Sequence, residues 1–180
     1  MDLAKKNILI SGIPGIGKTT LIKKLIEELK DFRPIGFYTE EIRGKGIRKG
    51  FELISLDGRK AILSHTKIKS PYSIGKYRVD VIGFENFLDA ILFFSSAAGL
   101  VIIDEIGKME CFSNKFRKLI KETLDSERMV IATIANKGEG TIEEIKRRAD
   151  IRLYEITQSN RDLLLPEIIK DVRNLAIHSQ

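Results

Sequence analysis

The fold is decided by Gly12-Ile13-Pro14-Gly15-Ile16-Gly17-Lys18-Thr19, which fills every fixed position of the phosphate-loop pattern G-x-x-x-x-G-K-S/T. The apolar residues just before it predict a short buried strand, and those after it, within residues 21–29, recur at helical spacing. Strand, glycine loop and helix therefore come in the order that a phosphate-binding loop requires. An ordinary glycine-rich turn before a helix would explain the glycines alone, but not the complete pattern.

Each residue type in this loop suits a polyphosphate. Glycine lets the backbone wrap closely and turn its N–H groups towards the anion. The start of the following helix adds unpaired N–H groups and the positive end of the helix dipole. We expect Lys18 to contact the β- and γ-phosphates and Thr19 to offer a hydroxyl to Mg²⁺. Nucleotide contacts are predicted for nine consecutive residues: Gly12, Ile13, Pro14, Gly15, Ile16, Gly17, Lys18, Thr19 and Thr20.

Length and composition favour a single domain that spans residues 1–180. The single cysteine, Cys111, has no partner for an internal disulfide, which suits a reducing compartment.

The net charge is +6, but basic residues alternate with acids, which favours a salt-bridged surface over a nucleic-acid groove. The longest apolar stretch, residues 90–103, is shorter than the roughly 18 residues that cross a bilayer, and the first apolar run is too short for a secretion signal. We expect a cytoplasmic monomer without a membrane or nucleic-acid partner.

Buried apolar strands alternate with helices along the rest of the chain. Strands are predicted at residues 35–42, 100–103, 129–133 and 151–156, and helices at residues 84–98, 113–124, 141–148 and 161–177. An antiparallel hairpin is predicted around Asp57-Gly58. Residues 43–49 are predicted as a basic loop, and residues 67–78 as a loop before a short strand at 79–82. This alternation predicts a three-layer α/β fold around a mostly parallel sheet with an inserted antiparallel hairpin.

A second acidic motif ends one of the predicted strands. Residues 100–103 are four apolar residues, and Asp104 and Glu105 follow them directly. The carboxyl ends of parallel strands share one edge of the sheet, so Asp104 can lie beside the phosphate loop and hold Mg²⁺. Glu105 could then orient or deprotonate the water that attacks the γ-phosphate. Two acids at a strand end that simply meet solvent are the plainer alternative.

Arginine is the usual means of neutralising charge on a transferring phosphoryl group. The candidates are Arg43 and Arg48 in the basic loop and Arg161 after the last strand. Either arginine of the basic loop could instead be an exposed surface charge. Asn160 and Arg161 lie at the ligand edge, where a base could bind, although Asn160 could equally cap the last helix.

Six blocks of sequence together resemble the small nucleoside-triphosphatase family of thermophiles, whose human relative is called cancer-related nucleoside-triphosphatase. The blocks are G-x-P-G-x-G-K-T-T-L at residues 12–21, G-F-Y-T-E-E-I-R at 36–43, G-x-R-x-G-F at 46–51, G-K-Y-x-V at 75–79, D-E-I-G-K-M-E at 104–110 and N-R-D-x-L-L-P at 160–166. They span most of the chain, which a phosphate loop alone would not do.

The resemblance implies a P-loop fold of the kinase or RecA-like kind that hydrolyses ATP, GTP, CTP and UTP to the diphosphate with Mg²⁺. It also places Thr39, Glu41 and Arg43 in a segment facing the γ-phosphate. Two departures, Ala135 for proline and Glu52 for aspartate, leave the base preference open. The resulting assignment is catalytic Lys18, Glu105 and Arg43, metal-binding Thr19 and Asp104, and base-contacting Asn160 and Arg161.

Two other functions use the same motifs. A nucleotide or nucleoside kinase shares the loop and metal site, but it needs a lid that excludes water, and no arginine-rich lid is visible in the sequence. A nucleotide-dependent switch that binds nucleic acid would be supported by the positive charge and the basic segment at residues 43–49.

Overall fold

The computed structural model describes residues 5–178 and shows a nine-stranded sheet with helices on both faces. The strands are β1 (Asn7–Gly12), β2 (Pro34–Gly44), β3 (Ile47–Ser55), β4 (Lys60–His65), β5 (Ser73–Ile74), β6 (Tyr77–Val79), β7 (Leu100–Ile106), β8 (Met129–Ala135) and β9 (Ile151–Glu155). The α-helices are α1 (Lys18–Glu28), α2 (Val81–Asp89), α3 (Asn114–Asp125), α4 (Thr141–Lys146) and α5 (Arg161–His178).

The sheet has a parallel half and an antiparallel half. Its strand order is β5-β6-β4-β3-β2-β7-β8-β1-β9. Strands β2, β7, β8, β1 and β9 run parallel to one another, whereas β3, β4, β6 and β5 extend the sheet beyond β2 in antiparallel fashion. The predicted α/β class is confirmed, and the antiparallel part is larger than the one hairpin predicted around Asp57-Gly58.

Two hydrophobic cores hold the helices against the sheet. Alternate residues of β1 point to opposite faces, so Ile8 packs with Leu25 of α1 on one side and Leu9 packs with Phe116 of α3 on the other. Each of these four side chains is at most 1% exposed. Burying an aliphatic or aromatic side chain of this size contributes about 1.5–3 kcal/mol. Because successive side chains of a strand point to opposite faces, the sheet binds helices on both sides, which gives the three layers of helix, sheet and helix.

The predicted basic loop at residues 43–49 is wrong, because the chain forms a tight hairpin there. Strand β2 continues to Gly44 and β3 begins at Ile47. The two residues between them, Lys45 and Gly46, have φ of 50° and 76°. Positive φ at both central residues matches the right-handed twist of antiparallel strands. The arginines of this segment therefore lie on strands.

The prediction for residues 67–98 is also wrong in detail. Strand β5 and the first two residues of β6 lie within the predicted loop, and of the predicted strand at 79–82 only Val79 is in a strand. The Asp80 carboxylate accepts a hydrogen bond from the Gly83 N–H at 2.9 Å, and this N-cap starts α2 at once. Helix α2 stops at Asp89, and the apolar residues up to 99 form turns before β7. Within residues 5–178, no helix combines the length and apolar character needed to cross a membrane.

Gly36 of β2 leaves no room for a side chain against β7, and its substitution should be costly. Its φ is 127°, and a Cβ atom there would lie 1.8 Å from the Ile102 carbonyl oxygen. We predict that Gly36→Ala lowers the free energy of unfolding in urea by at least about 2 kcal/mol. Gly44→Ala, on the same strand, is the matched control, because its Cβ would meet nothing closer than 3.4 Å. Equal losses in the two variants would contradict this account.

Candidate active site

The phosphate loop joins β1 to α1 and leaves the start of that helix open to an anion. Gly15 and Gly17 have φ of 79° and 113°, a region that other residues rarely adopt. Gly17 is the N-cap of α1, and within the described chain no side chain caps this helix and no acid lies in its first turn. The first N–H groups of a helix need a partner from outside it. The geometry therefore favours an anion at this position.

Lys18 lies inside this loop. Its side chain is mostly buried, and Nζ donates to the carbonyl oxygen of Gly12 at 3.0 Å. The Lys18 side chain thus turns back across the loop to its first residue, Gly12. Its positive charge therefore lies beside the loop N–H groups that would bind an anion.

The Asp104 carboxylate lies at the end of β7 and is held by hydroxyl groups. Thr19 Oγ1, in the first turn of α1, donates to Asp104 Oδ2 at 2.7 Å. Thr133 Oγ1 of β8, the strand between β7 and β1, donates to Asp104 Oδ1 at 2.5 Å. Thr39 Oγ1 of β2 lies 3.4 Å from Asp104 Oδ2. The phosphate loop and the acidic end of β7 therefore meet. Thr133 is one of the hydroxyl residues that hold Asp104, and the sequence did not point to it.

Thr19 and Asp104 make a donor set that fits Mg²⁺. Mg²⁺ prefers oxygen ligands and in phosphate sites typically uses one or two protein oxygens together with phosphate oxygens and water. The Thr19 hydroxyl and the Asp104 carboxylate supply such oxygens, 2.7 Å apart. No group of three or more histidine, cysteine or acidic residues within residues 5–178 could hold a metal ion.

Two further carboxyl groups lie next to this pair. A Cβ atom on Gly107 would lie 3.4 Å from Glu105 Oε1 and 2.8 Å from Glu110 Oε2, so both carboxyl groups flank that glycine. Burial raises the pKa of Glu105; the Lys18 ammonium opposes this rise and the Asp104 carboxylate adds to it. Burial, followed by repulsion from Glu105, raises the pKa of Glu110 to about 8. Glu110 thus carries a proton at neutral pH, a property that its place at the end of D-E-I-G-K-M-E did not indicate.

A cleft of about 540 Å³ opens beside the phosphate loop. Its walls come from the loop, the start of α1, strands β2 and β3, and the end of β7. They are formed by Pro14, Gly15, Gly17, Lys18, Thr19, Thr20, Lys23, Thr39, Glu40, Glu41, Arg48, Phe51 and Glu105. A larger groove of about 700 Å³ lies elsewhere, between α3 and the turns after α2, and includes none of the predicted site residues.

The three candidate arginines lie in different places. Arg48 lines the phosphate cleft. Arg43 does not line it, and donates to Glu41 and to the Gly46 carbonyl oxygen instead. Arg161 lines a second pocket of about 450 Å³ on the other side of α1, which shares Gly17 and Thr20 with the cleft.

Asn160 has a structural position next to this second pocket. Its Oδ1 accepts from the Thr157 N–H and its Nδ2 donates to the Glu155 carbonyl oxygen, both at 2.8 Å. These bonds fix the loop between β9 and α5. The Asn160 side chain makes them instead of capping α5, the alternative that the sequence had offered. Asn160 does not line the pocket. Of the two residues predicted to contact the base, Arg161 therefore lines the pocket, whereas Asn160 shapes the loop beside it.

A phosphate loop at the edge of a parallel sheet, with an acidic strand end hydrogen-bonded to it, is the arrangement of an α/β P-loop fold. A family model described as NTPase matches residues 7–169, and the chain belongs to this NTPase family.

Similar proteins match along most of their length. Nucleoside-triphosphatase THEP1 of Thermotoga sp. is 46% identical over 90% of this chain and 92% of its own. Human cancer-related nucleoside-triphosphatase is 38% identical over 94% of this chain and 97% of its own. The crystal structure of THEP1 from Aquifex aeolicus superposes with a TM-score of 0.82 at 40% identity, covering 90% of this chain and 96% of that one. These matches confirm the family resemblance and the fold class.

Glu110 should make stability depend on pH. Its folded-state pKa of about 8 exceeds the ordinary value of 4.5, so the folded protein holds the extra proton between these values. Its contribution to stability is therefore fully present at low pH and is lost as the pH rises towards 8. We predict that the unfolding free energy of the wild type falls by up to about 1.4 kcal/mol per pH unit relative to Glu110→Gln across this range.

The measurement is urea unfolding of both proteins at several pH values. Glu127→Gln replaces an exposed glutamate and should retain the wild-type slope. Parallel stability curves for wild type and Glu110→Gln would show that Glu110 is not protonated in the folded state.

Proposed function

We propose that this protein is a Mg²⁺-dependent nucleoside-triphosphatase that hydrolyses ATP, GTP and other nucleoside triphosphates to the diphosphate and phosphate, with broad base tolerance. The observation that carries the proposal is the hydrogen bond of 2.7 Å between Thr19 and Asp104, which lie beside a cleft that Lys18 and Glu105 also line. The relatives named nucleoside-triphosphatase support the same reaction.

The protein groups have separate tasks in this reaction. The loop N–H groups and Lys18 bind the β- and γ-phosphates, and their positive charge opposes the negative charge that builds on the phosphoryl oxygens. Thr19 and Asp104 would hold Mg²⁺, which when bound neutralises charge on the phosphates. Glu105 orients the attacking water and accepts its proton. Its raised pKa improves it as a base, provided that it is ionised at the working pH.

The pocket beside Arg161 supports broad base tolerance. Its walls include the apolar residues Ile16, Leu21, Ile156 and Leu165, and its charged members are Lys24, Arg161 and Asp162. Apolar side chains can pack against the face of any base, because stacking does not depend on the hydrogen-bonding edge. We propose that this pocket receives the base.

We further propose a single-domain enzyme of the cytoplasm. One continuous sheet runs from β1 to β9, and Cys111 is a free thiol. Burial raises the pKa of this thiol to about 12, which leaves it unreactive. The monomeric state stays a prediction.

The direct test is phosphate release from each of ATP, GTP, CTP and UTP, with Mg²⁺ and with EDTA. The proposal expects release from all four nucleotides with Mg²⁺ and none with EDTA. A parallel assay offers nucleosides and nucleoside monophosphates as acceptors. Transfer to an acceptor without release of phosphate to water would establish a kinase instead.

Removing the Lys18 charge should weaken binding. We predict that Lys18→Ala raises the dissociation constant of a non-hydrolysable ATP analogue about 10- to 100-fold, because one charged hydrogen-bond donor to the phosphates is lost. Isothermal titration calorimetry measures this directly. Lys30→Ala, which changes an exposed lysine just beyond α1, should bind as the wild type does. Unchanged binding by Lys18→Ala would refute the assignment.

Replacing Glu105 should separate binding from turnover. Glu105→Gln keeps the size and polarity of the side chain but cannot accept the proton of water. We predict a fall in kcat of at least about a hundredfold with the analogue affinity unchanged. The exposed Glu27→Gln variant is the control. A wild-type rate of ATP hydrolysis in Glu105→Gln would rule out this residue as the base.

A further inference from the structure

We propose that Arg48 is the catalytic arginine, which contacts the terminal phosphate, and that Tyr77 and Glu41 are positioning residues that aim it. This inference rests on the proposed hydrolysis. It replaces Arg43 by Arg48 and gives a role to the blocks G-x-R-x-G-F and G-K-Y-x-V, which the reaction described above does not use.

A bulge in the β2–β3 hairpin turns Arg48 towards the cleft. Ile42 pairs with Gly50, but the next residue of β2, Arg43, pairs with Arg48, so Lys49 is an extra residue on β3. An extra residue reverses the alternation of side chains beyond it. Arg48 therefore lies on the same face as Phe51, and both line the phosphate cleft.

Two neighbouring side chains clamp the Arg48 guanidinium at one end. Nε donates to Tyr77 Oη at 2.8 Å and Nη1 donates to Glu41 Oε1 at 2.9 Å. Nη2 has no hydrogen-bond partner within residues 5–178. The orientation of the planar group is thus set by the protein, while Nη2 is left to donate to a ligand in the cleft.

Each guanidinium nitrogen of Arg43, by comparison, has a partner within the protein. Its Nε and Nη2 both donate to Glu41 Oε2, and Nη1 donates to the Gly46 carbonyl oxygen at 3.0 Å. Every nitrogen of its guanidinium has a protein partner, and its side chain is 59% exposed. Arg43 therefore acts on Glu41 and not on the phosphates.

Aromatic rings complete the support of Arg48. Its guanidinium lies 5.1 Å from the Phe51 ring centroid and 5.4 Å from that of Tyr77, and the two rings meet edge to face. Gly50, next to Phe51, permits the close pairing of β3 with β4, because a Cβ atom there would lie 2.1 Å from the Ser64 carbonyl oxygen. Tyr77 comes from the short β5–β6 hairpin, whose turn contains Gly75 with φ of 55°. The block G-x-R-x-G-F thus supplies Arg48 together with Gly50, and the block G-K-Y-x-V supplies Tyr77 together with Gly75.

The charges of the group favour an anionic ligand. Glu41 also lines the cleft, where an unpaired carboxylate would repel a triphosphate. Arg43 and Arg48 both pair with it, so the three side chains carry a net charge of +1. The hydrogen bonds from Arg48 also lower the pKa of Tyr77 and the pKa of Glu41.

The first experiment compares variants of Arg48 in the full chain. Arg48→Ala and Arg48→Lys should each lower kcat for ATP at least about a hundredfold, because the arginine acts mainly on the charge of the transition state. KM and the affinity for the non-hydrolysable analogue should change less than about threefold. Arg78→Ala, at an exposed position of β6, is the charge-matched control. The melting temperature checks that each variant is folded.

The second experiment tests whether Tyr77 acts through Arg48. Tyr77→Phe removes only the hydroxyl that holds Nε, and should lower kcat about tenfold. In the Arg48→Lys background the same substitution should have no further effect, because the group that Tyr77 positions is already gone. Tyr72→Phe, a partly exposed tyrosine that packs on Phe112, is the matched control.

The outcomes separate this inference from the function on which it rests. A wild type that releases no phosphate from any nucleotide overturns both. If the wild type hydrolyses ATP and Arg48→Ala keeps its rate, hydrolysis stands and the role of Arg48 is overturned; loss of turnover in Arg43→Ala would then restore Arg43. Additive effects of Tyr77→Phe and Arg48→Lys would overturn the positioning role.

Discussion

The Asp104 carboxylate is the point at which the elements of the site are tied together. It is 1% exposed and accepts hydrogen bonds from Thr19 at the start of α1 and from Thr133 on β8. A buried carboxylate needs such partners, because an unpaired charge away from water is costly. The requirement to satisfy this one group therefore fixes the distance between the phosphate loop and the end of β7.

The two halves of the sheet contribute different parts of the chemistry. The parallel half brings the phosphate loop and the acidic end of β7 to one edge, as the carboxyl ends of parallel strands must lie. The antiparallel half begins with the long strand β2, which pairs with β7 on one side and with β3 on the other. Through β2 and β3 the antiparallel half contributes Arg48 to the cleft that Lys18 also lines. The groups proposed to bind the phosphates and to neutralise their charge thus lie on one continuous sheet.

Local sequence patterns account for the phosphate loop and for the strand–helix alternation, because each depends on contiguous residues. They also placed Asp104 near Thr19, since strand direction alone implies that proximity; the roles of these residues towards a ligand stay predictions. Thr133 and Tyr77 could not be found in this way, because their neighbours depend on strand order and on pairing between distant segments. Residues 43–49 predict a loop from sequence, although they form a hairpin at Lys45-Gly46, because glycine and basic residues are common in loops and in tight hairpin turns alike.

The antiparallel edge has a consequence for how the molecule responds to heat. Strands β5 and β6 are two and three residues long, and β5 is the outermost strand of the sheet. Short outer strands open more readily than the centre of a sheet. Because Tyr77 lies on β6, fraying of this edge would release the Arg48 guanidinium, whereas the proposed phosphate loop follows β1 in the parallel half of the sheet. If Arg48 and Tyr77 have the proposed roles, warming should therefore abolish hydrolysis before the core unfolds cooperatively, at a temperature where the chain still binds nucleotide.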